Sequence, residues 1–172
     1  GRIGTAVARR ARGFEMRVLG FDPMPSDTAR EAGVEFVSLE ELLEQSDFVA
    51  LNAAAAAENR GIIGEPELRR MKESAYLVNT ARGSLLNEAA VVRALEEGWI
   101  AGAALDCFEK EPLAADHPLR SAPNILLCPH MAAFAWGNAQ EMNRGAAQMI
   151  LDLKAGKQPE LVVNPEVFES EA

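Results

Sequence analysis

Short apolar runs alternate with helical patterns along almost the whole chain, and few architectures accommodate that rhythm. Residues 16–21, 34–37, 48–51, 75–79, 100–105 and 124–128 read as strands. Before the first of them, Ile3, Val7, Ala11 and Phe14 share one helical face, and Gly13 marks that helix's end. Residues 27–32 form a helix stopped by Gly33, and residues 38–45 form another. Ser38 caps this second helix, with Glu41 three residues on as in a capping box. Pro66 opens a short helix to Met71, and Asn87 caps one that carries Val91 and Leu95 and ends at Gly98. The last helix bears an apolar stripe of Ala139, Met142, Ala146, Met149 and Leu153 and stops at Gly156. Strands that alternate with helices predict an α/β fold, a doubly wound parallel sheet covered on both faces. Ala53 to Ala57 favour helix intrinsically, but their place directly after a strand predicts a loop. Residues 158–172 hold two prolines and are expected to be extended.

The bulk properties narrow the function. A chain of 172 residues suits one domain with a sizeable core. Its net charge of −9 disfavours nucleic acid and anionic membrane as partners. The two cysteines, Cys107 and Cys128, lack a paired spacing, so neither a metal site nor a disulfide framework is expected. A reducing cytoplasm is the expected compartment, and no apolar run is long enough to span a bilayer.

Gly1-Arg2-Ile3-Gly4 reads as the second half of a G-x-G-x-x-G loop. In such a loop the glycines let backbone approach a pyrophosphate, and amides at the helix start face the anion. The acid expected at the end of the next strand is Asp22. A carboxylate there accepts both ribose hydroxyls and repels a 2′-phosphate, which favours NAD over NADP. The plainer alternative is a helix start followed by an Asp22-Pro23 turn.

Three further residues each follow a strand. Arg82 stands after residues 75–79, in position to grip a carboxylate with two parallel hydrogen bonds, or to lie in a surface loop. His130 follows residues 124–128 and suits proton transfer near neutrality, or serves as a turn residue. Glu111 either belongs to a solvated charge run with Glu109 and Lys110 or holds the His130 ring. Asp106 reaches a nicotinamide carboxamide or caps a turn, and Cys107 reads as a small core residue. His117, in a polar loop, reads as structural.

In this order, Gly1-Arg2-Ile3-Gly4, Asp22, Val78-Asn79-Thr80-Ala81-Arg82-Gly83, Gly102-Ala103-Ala104-Leu105-Asp106, Glu111-Pro112 and Pro129-His130 resemble the D-isomer-specific 2-hydroxyacid dehydrogenases. The resemblance implies a Rossmann NAD-binding domain over residues 1–156, truncated before its first strand and first glycine. Residues 157–172 are implied to return to a substrate domain. It further implies an oxidoreductase that moves a hydride between NAD(H) and a 2-hydroxy or 2-oxo acid. Arg82 then binds the substrate carboxylate, His130 is the acid/base and Glu111 pairs with it. Cofactor contacts are implied at Gly1, Arg2, Ile3, Gly4, Asp22, Thr80, Ala81, Asp106, His130, Met131, Ala132 and Ala133. A homodimer through the cofactor domain is implied as well.

Two stretches depart from the family. It often has His-Cys-Pro-Leu-Thr-Pro where this chain has Asn52 followed by Ala53 to Ala57. The common His-Ile-Ala-Gly is here His130-Met131-Ala132-Ala133, followed by Phe134-Ala135-Trp136. These aromatics, with Glu141-Met142, resemble the branch of the C-terminal-binding-protein corepressors. The rival reading is therefore an NAD(H)-sensing dimer that recruits partners. Without its first strand the chain alone is expected to be poorly stable and inactive.

Overall fold

The structure, a computed structural model, describes residues 1–159 and 162–168. The described chain divides into two compact units, residues 1–131 and 132–172. Gly156, in a left-handed conformation, ends a helix within the second unit.

In the first unit helices and strands alternate as the sequence predicts. The elements are α1 (Arg2–Gly13), β1 (Leu19–Gly20), α2 (Asp27–Glu31), β2 (Glu35–Phe36), α3 (Leu39–Gln45) and β3 (Phe48–Leu51). They continue with α4 (Glu65–Arg70), β4 (Tyr76–Asn79), α5 (Glu88–Glu96), β5 (Gly102–Leu105) and β6 (Ile125–Leu127). Side-chain caps start three of the helices. Ser26 accepts from the Ala29 amide, Ser38 from Glu41 and Asn87 from Ala90. The Glu41 carboxylate turns away from the expected capping box and accepts from the Gln45 amide group instead. The alanine run is a loop, as expected, and ends in a turn of 3-10 helix at Ala57–Asn59.

Every strand pairing is parallel. The strands form two sheets, a β1-β2 pair and a four-stranded β3-β4-β5-β6 sheet. In the usual 3-2-1-4-5-6 order one central strand joins two such groups, and among the described residues none does. This accounts for α1, whose packed residues are Thr5 and Ala8. Ile3, Val7 and Phe14, the face expected to be buried, are exposed.

The four-stranded sheet buries one of its faces. Val49, Leu77 and Ala103 stand in register on that face. They cluster with Leu43 of α3, Leu68 of α4, and Val91 and Leu95 of α5. On the opposite face Phe48 stacks on Tyr76 with ring centres 5.7 Å apart. Both rings and Leu126 are exposed, so the expected cover on this second face is absent from the described chain. The fold thus presents a well-packed floor beneath the carboxyl ends of β4, β5 and β6.

The second unit is built on α6 (Trp136–Lys154), which Ala155 caps and Gly156 ends. Its Met142, Ile150, Leu151 and Leu153 are exposed. Residues Pro165–Phe168 form a turn of 3-10 helix where an extended tail was expected. The rest of that expectation, at residues 160, 161 and 169–172, lies outside the described residues. No helix among the described residues is long and apolar enough to cross a membrane.

Candidate active site

Three parallel strands end side by side, and each hands its chain into a loop that carries one chemically useful residue. Backbone hydrogen bonds continue past the strands and tie these loops together. Asp106 N–H donates to Asn79 O at 2.9 Å, Cys128 N–H to Leu105 O at 2.9 Å and His130 N–H to Asp106 O at 2.7 Å. The ends of β4, β5 and β6 therefore form one rigid ledge.

Asn79 shapes the first loop. It is fully buried, yet both ends of its amide are satisfied. Its Nδ2 donates to Arg82 O at 2.9 Å, and its Oδ1 accepts from Ala81 N–H at 3.0 Å. The amide holds residues 79–82 in a tight turn and leaves the Arg82 side chain exposed beyond the sheet. Arg82 Nη1 donates to Ala81 O at 2.6 Å. Next to it, Gly83 lies against the backbone of the second loop. A Cβ at Gly83 would stand 1.9 Å from the Phe108 carbonyl carbon, so only glycine permits this approach.

The second loop carries Glu111. Its Oε1 accepts from the Phe108 amide at 2.9 Å, and its Oε2 meets His130 Nδ1 at 2.8 Å. These two contacts, the imidazole first, hold the Glu111 carboxyl below the ordinary carboxylate range. Glu111 thus favours its ionised form and orients the ring through Nδ1. The third loop fixes His130 itself. Its φ of 54° is left-handed, and the next amide, of Met131, donates to Asp106 Oδ1 at 2.7 Å. Asp106 therefore grips this turn through its carboxylate as well as its carbonyl. Cys107 lies buried behind the ledge, and burial pushes its thiol up to about 11.

Of the expected cofactor residues, Thr80, Ala81, Asp106, His130 and Met131 lie in the loops of this ledge, while Gly1 and Asp22 meet at the start of α1. Gly1 caps α1, and Gly1 N lies 3.8 Å from Asp22 Oδ2. The Asp22 side chain also accepts from Met24 N–H at 2.8 Å. Amides at the open start of α1 suit a pyrophosphate, and the neighbouring carboxylate suits ribose hydroxyls. A Cβ at Gly4 would meet only the Asn52 side chain, at 3.5 Å. The amides at the helix start and the Asp22 carboxylate fit a dinucleotide. Arg2, Ile3 and Thr80 are exposed, Ala81 is half-buried and Met131 is exposed. Ala132 and Ala133 belong to the second unit. No group of described residues could hold a metal ion.

Residues 1–132 match the family described as D-isomer specific 2-hydroxyacid dehydrogenase, NAD binding domain. The chain belongs to that family. The chain is 48% identical over 170 residues to a glyoxylate reductase of Korarchaeum cryptofilum, covering 98% of this chain and 51% of that protein. It superposes on a D-lactate dehydrogenase with NAD+ from Lactobacillus jensenii with a TM-score of 0.89 and 27% identity, covering 95% of this chain and 53% of the other. A D-lactate dehydrogenase of Aquifex aeolicus complexed with NAD and lactic acid gives a TM-score of 0.82 and 29% identity, covering 91% and 51%. The chain thus spans about half the length of the relatives it matches. Its cofactor is NAD.

The sequence singled out Arg82, Glu111 and His130, but Asn79 and Gly83 appeared there only as members of a motif, without the contacts that shape the Arg82 loop. The available signal was a polar residue closing an apolar strand run, which for Asn79 marks a buried amide with an assigned partner.

Proposed function

We propose that the protein carrying this domain is an NAD-dependent oxidoreductase that interconverts a 2-hydroxy acid and a 2-oxo acid. The observation that carries this reading is the Glu111–His130 pair, 2.8 Å apart on the ledge that also bears Arg82. NAD(H), when bound, supplies or accepts the hydride. Asp22 and the start of α1 hold the dinucleotide, with Thr80, Ala81 and the Asp106 loop beside the nicotinamide end. Arg82 binds the substrate carboxylate with its planar fork and places the carbonyl over the ledge. His130 Nε2 gives a proton to the carbonyl oxygen during reduction and takes it back during oxidation. Glu111 holds the ring through Nδ1 and stabilises the imidazolium. Because Arg82 and His130 come from fixed loops, orientation and charge stabilisation supply much of the acceleration.

The test is NADH consumption with glyoxylate, hydroxypyruvate and pyruvate in the full-length protein. Turnover with at least one of these acids is expected. NADH binding without turnover of any 2-oxo acid would sink the reading.

A second reading is an NAD(H)-sensing homodimer that recruits partners, and it is favoured by the exposure of Phe134 and Trp136. Its signature is trivial turnover together with dimerisation promoted by NADH, read by sedimentation.

A further inference from the structure

Glu88 lies outside the constellation just described, yet it is one of the few buried charged residues. It sits in the first turn of α5, behind Asn87, where a helix start favours a carboxylate. Its two oxygens leave the helix. Oε1 accepts from Glu109 N–H at 2.7 Å, and Oε2 lies 3.4 Å from His117 Nε2. His117 Nδ1 in turn accepts from Leu119 N–H at 3.3 Å, which sets the ring proton on Nε2, toward Glu88. The Glu109 side chain points elsewhere, to Arg60.

The loop that carries the acid/base partner is therefore held by two successive amides. Phe108 N–H ends on Glu111 and Glu109 N–H ends on Glu88. One peptide unit separates the carboxylate that touches His130 from the carboxylate anchored in α5. The same unit is the one that Gly83 packs against.

We propose that Glu88 is a positioning residue, which by holding the Glu109 amide fixes the 106–112 loop so that Glu111 meets His130. His117 steadies Glu88 from the far side. This proposal rests on reading Glu111 and His130 as the acid/base pair, but it predicts a hydrogen bond that is observable without turnover.

The experiment compares Glu88→Gln, Glu88→Asp and Glu88→Ala in full-length protein labelled with 15N-histidine. The first readout is the low-field proton on His130 Nδ1, identified by its disappearance in His130→Gln. The second is the separation of kcat from KM for the preferred 2-oxo acid. Glu88→Gln retains an oxygen for the Glu109 amide, so its resonance and kcat stay near the parent's. Glu88→Ala loses the sharp resonance and about ten- to hundredfold in kcat with KM little changed, as a slight misplacement of the pair would cause. Glu88→Asp, one methylene short, falls between them and decides the matter if Glu88→Ala does not fold. A folded Glu88→Ala or Glu88→Asp that keeps the parent resonance and kcat overturns the proposal. If His130→Gln leaves turnover intact, the acid/base reading fails instead, and the resonance series still reports whether Glu88 sets the pair.

Discussion

His130 occupies a backbone conformation that few residues other than glycine adopt. Its own amide and the next are both held by Asp106, which over-determines the turn and aims the ring at Glu111. Replacing His130 by Gln keeps a polar side chain but removes the proton carrier. We expect kcat for a 2-oxo acid to fall by roughly 10²–10⁴-fold with NADH affinity preserved, checked by steady-state kinetics and fluorescence titration. Glu111 gives a pH prediction with a definite sign. Its folded value lies below its unfolded one, because His130 and the Phe108 amide favour the ionised form. Its contribution to stability is therefore fully present above the unfolded value and is lost as pH falls through the lower folded value. Between about pH 6 and about pH 3 the melting temperature of the parent should fall more steeply than that of Glu111→Gln, by calorimetry. Parallel slopes would show that the pair adds nothing to stability. Both residues were legible in the sequence because a rare histidine and an acid each followed a strand. Glu88 was not, since a glutamate in the first turn of a helix reads as a solvated cap, and only tertiary packing buries it.

The elements of the site are strand ends, and their agreement with the sequence is closest where packing is densest. Residues 48–51 form a strand as expected, and the runs at 75–79 and 100–105 shorten to β4 and β5. The run at residues 16–21 keeps only Leu19 and Gly20 as strand, paired with the equally short β2. What the sequence could not show is how one loop presses on another. Gly83 appeared as part of a motif, yet its role is to let the Arg82 loop touch the backbone at Phe108 and Glu109. We expect Gly83→Ala to push those loops apart, destabilising the domain by about 1–3 kcal/mol and lowering kcat. Denaturant unfolding and kinetics check it, and an unchanged midpoint would show that the loops have slack.

At the scale of the whole molecule, the four-stranded sheet packs tightly on one face and leaves aromatic residues exposed on the other. The sequence predicted cover on both faces because strands that alternate with helices ordinarily form a parallel sheet with helices on each side. Among the described residues nothing covers Phe48, Tyr76 and Leu126, which are exposed. We expect the isolated chain to unfold at low denaturant with a broad transition, followed by circular dichroism. A sharp transition at high denaturant would refute this. The two separate sheets carry one more consequence. β1 and β3 each have a single strand neighbour, so each offers a row of amides and carbonyls that another chain could extend. For the isolated domain, intermolecular pairing competes with folding, and the yield of native protein on refolding should decline as concentration rises.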